Sequence, residues 1–459
     1  MNIAQLAHDN LARFGDVPCI YFDGREYTSG ERLNFAQRLA SVFAGRGVAP
    51  GDRVVAMLPN GPSVLACFQA AWQLGAVLVP VTPQSTAREL HHMICDSGAQ
   101  VVITGPELAS VVAAAIARCD EPAQLLVMGP TTIEGAIDVE PEVAAAQPRG
   151  SMFDAGDDDL ALLIYTSGTT GRPKGVMQTH ANLYVNLNAA LPGADVRPQT
   201  RMLHVLPLSH VFGVLCMNLG TVYGCSSVIL PQFEPRSVLE AIDKHRIARI
   251  AMVPTMLTYL LNFPDRKQYD CSSLKIITCG GAALPDEVRV AFEREFGCRV
   301  KEGYGCSEGT CALSGYHDEE PTRPGSVGKL IDGAMATLLD DADRPVAAGC
   351  EGEICVRGPH VMKGYWRNEE ATRQVLRGGW LHTGDLGRID ADGYLYITGR
   401  KKDLIIKGGE NIAPRLIEDV LYEHAAVAEA AVIGVADPVF GEEICAFIAL
   451  KAGNRPTAD

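Results

Sequence analysis

Residues 165–175 read YTSGTTGRPKG. Thr166, Ser167, Thr169 and Thr170 alternate with Gly168, Gly171 and Gly175, and Lys174 stands near the end. Hydroxyls and free backbone amides in a glycine-rich loop donate hydrogen bonds to an anion, and a lysine adds a mobile positive charge. Phosphate is the natural ligand of such a loop. Two familiar nucleotide loops do not fit. A G-x-x-x-x-G-K-[ST] loop counted from Gly168 would need glycine where Pro173 stands, and Gly175 follows Lys174 where a hydroxyl belongs. The dinucleotide pattern G-x-G-x-x-G is not met here either.

Four further stretches carry residue types suited to the same chemistry. GYGCSEG (303–309) sets Glu308 three residues after a Gly-Tyr-Gly turn, from which a carboxylate can reach a metal–phosphate centre. Thr383-Gly384-Asp385 presents an acceptor-only side chain suited to paired hydroxyls. Arg400-Lys401-Lys402 offers charged donors. PLSHVFG (207–213) places His210 in an apolar, proline-containing segment. Taken singly, each has an ordinary reading: a solvated acid, a turn former, a basic surface run, a structural histidine.

Taken in order, they have a more specific one. YTSGTTGRPKG resembles the phosphate-binding signature of the adenylate-forming superfamily, which includes acyl-CoA synthetases. PLSHVFG, GGAALP (280–285), GYGCSEG, WLHTGDLG (380–387) and GRKKDLIIKGGENIAP (399–414) are similar to its later motifs, in the same order along the chain. The resemblance implies an AMP-forming acid–CoA ligase. Such an enzyme joins a carboxylic acid to AMP with release of pyrophosphate and passes the acyl group to coenzyme A.

The resemblance also implies roles. Thr166, Ser167, Gly168, Thr169, Thr170, Gly171 and Lys174 would hold the ATP phosphates, Glu308 would hold Mg²⁺, and Ser307 would bond the α-phosphate. Tyr304, with Gly281, Ala282 and Ala283, would take adenine; Asp385 and Arg400 would take ribose or phosphate. His210 would gate the acid pocket and the coenzyme A tunnel rather than act as a base, because a carboxylate is already ionised at pH 7. The acyl pocket would be His210, Val211, Phe212, Gly281, Gly303, Cys306 and Cys311, with no arginine for a second carboxylate. An apolar monocarboxylate follows: medium-chain, branched or aryl. Val211 stands where amino-acid-activating relatives place aspartate, which argues against them. Lys402 would be the hinge, with Gly408 and Gly409 on the face that swings toward pantetheine. A carrier protein's phosphopantetheine is an alternative acceptor, and an adenylate-binding protein without turnover is a rival reading. Luciferase-like oxygenation has no support in the residues.

Two departures stand out. Leu416 occupies a position where relatives carry Glu, although Glu418 is kept. No Gly-Lys motif appears after Gly409, so this chain is expected to be slow in adenylation and its last domain incomplete.

Composition sets the frame for these motifs. In 459 residues the sequence carries 47% hydrophobic and 21% charged residues with 46 glycines, as a loop-rich globular protein does. The formal charge of -15 makes nucleic acid and anionic membrane poor partners. Fourteen scattered cysteines show no C-x-x-C pair and no His/Cys cluster at metal-ligand spacing, so no metal centre is expected among them, and their thiols are expected to be reduced. His8, Asp9, Asn10 and Arg13 interrupt any signal-peptide-like start. A cytoplasmic enzyme is expected. Nothing in the sequence speaks to oligomeric state.

The elements that must position these residues are legible in outline. Apolar runs at 53–58, 101–103, 125–127, 162–165, 227–230, 250–253 and 275–278 alternate with helical stretches at 31–45, 64–74, 236–244 and 286–296. Continuous apolar runs alternating with helices predict an α/β protein of layered, mostly parallel sheets. The window 64–81, though the most apolar, contains Gln69 and Gln73 and reads as a buried helix entering a strand. From about residue 328, short β-rich segments predict a small antiparallel or barrel-like unit. A large ATP- and acid-binding domain is expected over 1–400. A small, incomplete α+β domain is expected over 401–459, with a helix at 414–422 and strands at 430–435 and 444–450.

Overall fold

The computed structural model describes residues 1–166, 172–190, 196–198, 200–424 and 426–451. Two large sheets form its body. One has eight strands in the order Gly364–Tyr365, Lys174–Thr179, Leu160–Thr166, Val77–Val81, Arg53–Met57, Val101–Thr104, Gln124–Val127 and Ile137–Asp138. Pairings are parallel from Leu160–Thr166 onward and antiparallel for the first two. The other has seven strands: Arg299–Glu302, Ile276–Cys279, Arg249–Met252, Arg201–His204, Ser226–Ile229, Pro18–Phe22 and Arg25–Thr28. Only its last pairing is antiparallel.

Helices fill three layers around these sheets. Ser29–Gly45, Pro62–Leu74 and Val211–Tyr223 lie between them, where Leu39, Phe43, Phe68 and Met217 share one core with Ile20 and Ile229 of one sheet and Leu78 and Leu162 of the other. Ala87–Ser97 and Ala109–Ile116 cover the outer face of the eight-stranded sheet through Leu90, Ile94 and Val112. Pro235–His245, Pro254–Asn262 and Asp286–Phe296 cover the seven-stranded one through Ile242, Leu257 and Phe292. Strands covered on both sides explain the unbroken apolar runs: Val54 to Met57 are all buried.

Local chemistry sets the helix starts. Thr28 Oγ1 accepts from the Glu31 amide at 3.2 Å while Glu31 Oε2 accepts from the Thr28 amide at 2.9 Å, and Thr86 and Glu89 repeat this reciprocal cap. The apolar window at 64–81 is the helix Pro62–Leu74 running into the strand Val77–Val81. Gln69 donates to the Ala4 carbonyl at 2.7 Å and Gln73 to the carbonyls of Arg149 and Ser151, which pairs the buried amide nitrogen of each. Among the described residues no helix is long and apolar enough to cross a membrane.

The β-rich stretch forms a four-stranded antiparallel sheet, Met335–Leu339, Gly352–Arg357, Leu381–Ile389 and Leu395–Arg400, around Leu338, Ile354, Val356 and Leu395. A single turn, Lys401–Asp403, leads from it to a second antiparallel sheet ordered Glu410–Ile412, Ile405–Lys407, Gly441–Leu450 and Val427–Asp437. Both long strands extend beyond the expected 430–435 and 444–450 because they form one hairpin, paired from Val427 and Leu450 to Asp437 and Gly441. The helix Pro414–Tyr422 lies on this hairpin, where Glu418 Oε1 accepts from the Val432 amide at 2.9 Å.

Candidate active site

One cavity of about 610 Å³ runs from the loop ends at Thr166 and Lys174 into the seven-stranded sheet. The strand Leu160–Thr166 and the strand Lys174–Thr179 pair in antiparallel register with Thr166 opposite Lys174, so the two ends of the glycine-rich loop are fixed side by side. Ser167, Gly168, Thr169, Thr170 and Gly171 lie outside the described residues. Lys174 Nζ sits 5.1 Å from the centre of the Tyr365 ring, and Tyr365 Oη donates to Glu308 Oε1 at 2.7 Å. The ring therefore holds a cation and a carboxylate at one end of the cavity.

A tight turn aims Glu308. Ser307–Gly309 is one helical turn, and buried Gln178 donates to the Ser307 carbonyl at 2.8 Å, tying the turn to the strand that begins with Lys174. Thr310 and Cys311 follow at φ 57° and 98°. Non-glycine residues in that region carry backbone strain of about 1–3 kcal/mol each, which tertiary contacts must offset. Gly305 has no alternative, because a Cβ there would come within 1.5 Å of the Cys311 carbonyl oxygen.

Tyr304, Asp385 and Arg400 form a second group on the cavity wall. Tyr304 Oη donates to Asp385 Oδ2 at 2.7 Å, and Arg400 Nε donates to Asp385 Oδ1 at 3.0 Å. Asp385 and Arg400 are direct partners across adjacent strands. Burial raises the Asp385 pKa, against the pull of those two donors, and burial beside Asp385 raises that of the Tyr304 phenol. Behind them, buried Glu353 accepts from the Gly384 amide at 3.2 Å and from Lys401 Nζ at 3.3 Å, joining the Thr-Gly-Asp turn to the residue that precedes Lys402.

His210 caps the helix Val211–Tyr223: its Nδ1 accepts from the Phe212 amide at 3.3 Å. Desolvation by the surrounding chain lowers its pKa, so the ring is neutral at pH 7 and carries its proton on Nε2. Val211, Phe212, Gly281, Gly303, Cys306 and Cys311 also line the cavity, as do Ser307 and Lys402. Ala282 and Ala283 do not line it; they are exposed in the turn beside Gly281. Gly408 and Gly409 turn between the strands Ile405–Lys407 and Glu410–Ile412, away from the cavity lining.

The far end of the cavity was not legible in the motifs. Met202, Leu215, Leu219 and Ile250 make it apolar, yet Arg249, Lys301, Glu302 and Asp318 also line it. An arginine therefore does reach the pocket, contrary to the sequence expectation, but it is already engaged. Arg249 donates to Asp318 through both terminal nitrogens, at 2.6 and 3.0 Å, and both side chains are under 10% exposed. Burial pushes the Glu302 carboxyl up to about 7. Tyr365 and Glu353 were likewise missed.

A second correction concerns the cysteines. His91, Cys95 and Cys119 do gather in one place, on the outer side of the eight-stranded sheet. His91 and Cys95 share a helix face at i and i+4, a spacing present in the sequence, whereas Cys119 joins them through packing of two helices.

With this geometry in hand, comparison with known proteins places the chain. The model of the AMP-binding enzyme family matches residues 7–366, and that of the AMP-binding enzyme C-terminal domain matches residues 416–459. A long-chain-fatty-acid–CoA ligase of Bacillus subtilis (strain 168) is 36% identical over 97% of this chain and 85% of its own length. A feruloyl-CoA synthase of Amycolatopsis sp is 38% identical over 95% of this chain and 86% of its own. Among solved structures, the anthranilate CoA ligase AuaEII in complex with anthranoyl-AMP superposes with a TM-score of 0.94 at 27% identity, covering 100% of this chain and 88% of that one. ATP-bound MatB from Rhodopseudomonas palustris gives 0.89 at 32%, covering 100% and 90%. The chain therefore belongs to the AMP-binding enzyme family, as an AMP-forming acid–thiol ligase.

Proposed function

We propose that the chain activates an apolar monocarboxylic acid, medium-chain, branched or aryl, with ATP and then transfers the acyl group to coenzyme A. The observation that carries this reading is the continuity of one cavity from Lys174 and Glu308 to the apolar end at Leu215, Leu219 and Ile250. An acid carboxylate held between those ends faces the α-phosphorus of ATP. Its oxygen attacks phosphorus, the bond to the β-phosphate oxygen breaks, and pyrophosphate leaves. The coenzyme A sulfur then attacks the acyl carbon and AMP departs with that oxygen.

In this reading Lys174, with Thr166, Ser167, Gly168, Thr169, Thr170 and Gly171, neutralises and orients the phosphates. Ser307 bonds the α-phosphate. Tyr304 stacks on adenine beside Gly281, with Ala282 and Ala283 continuing the turn outside the cavity lining, while Asp385 and Arg400 hold ribose. Glu308 suits Mg²⁺: it is a hard oxygen donor fixed by Tyr365 at the phosphate end, and such ions take one or two carboxylates plus substrate phosphates. That ion would neutralise charge on the leaving pyrophosphate. Neutral His210 gates the passage between acid and coenzyme A.

Residues 1–400 and 401–459 act as two domains, with Lys402 as hinge and Gly408 and Gly409 on the pantetheine side. A cytoplasmic enzyme fits the acidic composition and the coenzyme A substrate. The test is acid-dependent pyrophosphate release with ATP and Mg²⁺ over a panel of carboxylic acids. Coenzyme A is compared with a carrier protein as acceptor, on this chain and on one extended by a Gly-Lys segment. Release that rises with an apolar acid supports the reading; ATP binding with no acid-dependent release on either chain refutes it.

A further inference from the structure

We propose that His91, Cys95 and Cys119 form a binding site for a thiophilic divalent cation of the zinc class, outside the ligase centre. The Cys95 and Cys119 sulfurs lie 3.0 Å apart, and His91 Nδ1 lies 3.6 Å from the first and 3.5 Å from the second. A circle through three such points has a radius of about 2 Å, so an ion slightly above their plane reaches all three at Zn–S and Zn–N bond lengths of about 2.3 and 2.1 Å. Two sulfurs and an imidazole nitrogen are a soft donor set, and a cation bound there keeps a fourth position for water. Cys95 is exposed and the other two half-exposed, so an ion has access.

A disulfide between the two thiols would need an oxidant and would leave the convergence of His91 unexplained. A metal displaces the thiol protons itself.

The site lies behind the candidate active site. The helix Ala87–Ser97 that carries His91 and Cys95 also carries Asp96, which accepts from Tyr165 Oη at 2.6 Å. The same helix carries His92, whose Nε2 is 3.0 Å from the Pro173 carbonyl oxygen. Both flanks of residues 167–171 therefore rest on this helix, and an ion binding it to Cys119 would hold their support in place.

The experiment uses the full chain, reduced and freed of metal, with Zn²⁺ competed against a chromophoric chelator and Cd²⁺ followed by its thiolate charge-transfer absorption. One ion per chain is expected. Loss of the ion and of the charge-transfer band is expected in both Cys95→Ser and Cys119→Ser. Affinity should fall at least about tenfold in His91→Ala, with no change in Cys350→Ser, which alters an exposed thiol elsewhere. Zn²⁺ should raise the melting temperature of the parent chain and not of Cys95→Ser. Failure to retain Zn²⁺, or retention undiminished in the two serine variants, overturns the proposal. So does an intramolecular Cys95–Cys119 disulfide formed with hydrogen peroxide in a chain that takes no Zn²⁺, which would make the pair redox-active instead.

Discussion

Replacing Asp318 by alanine is the most informative perturbation of the cavity. It leaves the Arg249 guanidinium buried at the apolar end with both terminal donors unpaired. Removing one partner of a buried ion pair costs about 3–5 kcal/mol. Both side chains are under 10% exposed, so solvent screening gives no reason to discount this figure. All three tryptophans, Trp72, Trp366 and Trp380, lie within residues 1–400, so urea denaturation followed by their fluorescence reads the body that contains the pair.

The same variant should change substrate choice. A freed guanidinium can receive a distal carboxylate through a charge-assisted contact worth about 1.5–3 kcal/mol, a shift of roughly tenfold to a hundredfold in relative kcat/KM toward dicarboxylic acids. The double variant Arg249→Met/Asp318→Leu should recover stability without that gain, because apolar replacement of a buried pair is often neutral or stabilising. A stability loss below about 1 kcal/mol, together with unchanged selectivity, would refute the placement of this pair at the closed end of the acyl pocket.

Three further outcomes follow from the site. Lys174→Ala should slow pyrophosphate release by about a hundredfold or more while leaving the melting temperature nearly unchanged; steady-state kinetics and calorimetry on one preparation check this. Tyr304→Phe keeps the ring and loses only the bond to Asp385, so ATP affinity should weaken by no more than about tenfold, whereas Tyr304→Ala should weaken it further; equilibrium binding separates the two. Glu302 is raised in the fold from an ordinary 4.5 to about 7. Its contribution is therefore fully present below about pH 4.5 and is lost as pH rises to 7, amounting to about 3 kcal/mol. Glu302→Gln should flatten the stability–pH curve across that window, read by urea denaturation at stepped pH.

The sequence made some of this site readable for definite physical reasons. Thr166 and Lys174 bracket a loop whose composition alone argues for an anion, and the apolar run before it is the strand that fixes one end. Asp385 and Arg400 sit in separate motifs that the sheet makes neighbours. Other contacts left no trace along the chain. Arg249 and Asp318 are 69 residues apart, one opening the strand Arg249–Met252 and the other in the segment after Ser314–Gly315, and only the tertiary fold brings them together. Tyr365 reaches Glu308 because a two-residue strand joins the edge of the eight-stranded sheet, too short to show a period. The strand Lys174–Thr179 is polar enough to read as a loop, and the helix Val211–Tyr223 is apolar on all sides because it lies between two sheets, so neither shows the amphipathic pattern of a surface element. His91 and Cys95 did carry a helical spacing, but Cys119 becomes their neighbour only through packing.

Adenylation in this cavity requires that a carboxylate oxygen attack the α-phosphorus of ATP. Turnover with an acid labelled with heavy oxygen in its carboxyl group, followed by mass analysis of the products, tests it most directly. One heavy oxygen is expected in AMP with unlabelled pyrophosphate, and the label should appear far more slowly in Lys174→Ala. Label in inorganic phosphate with ADP as the nucleotide product, or AMP formed without label, would contradict it.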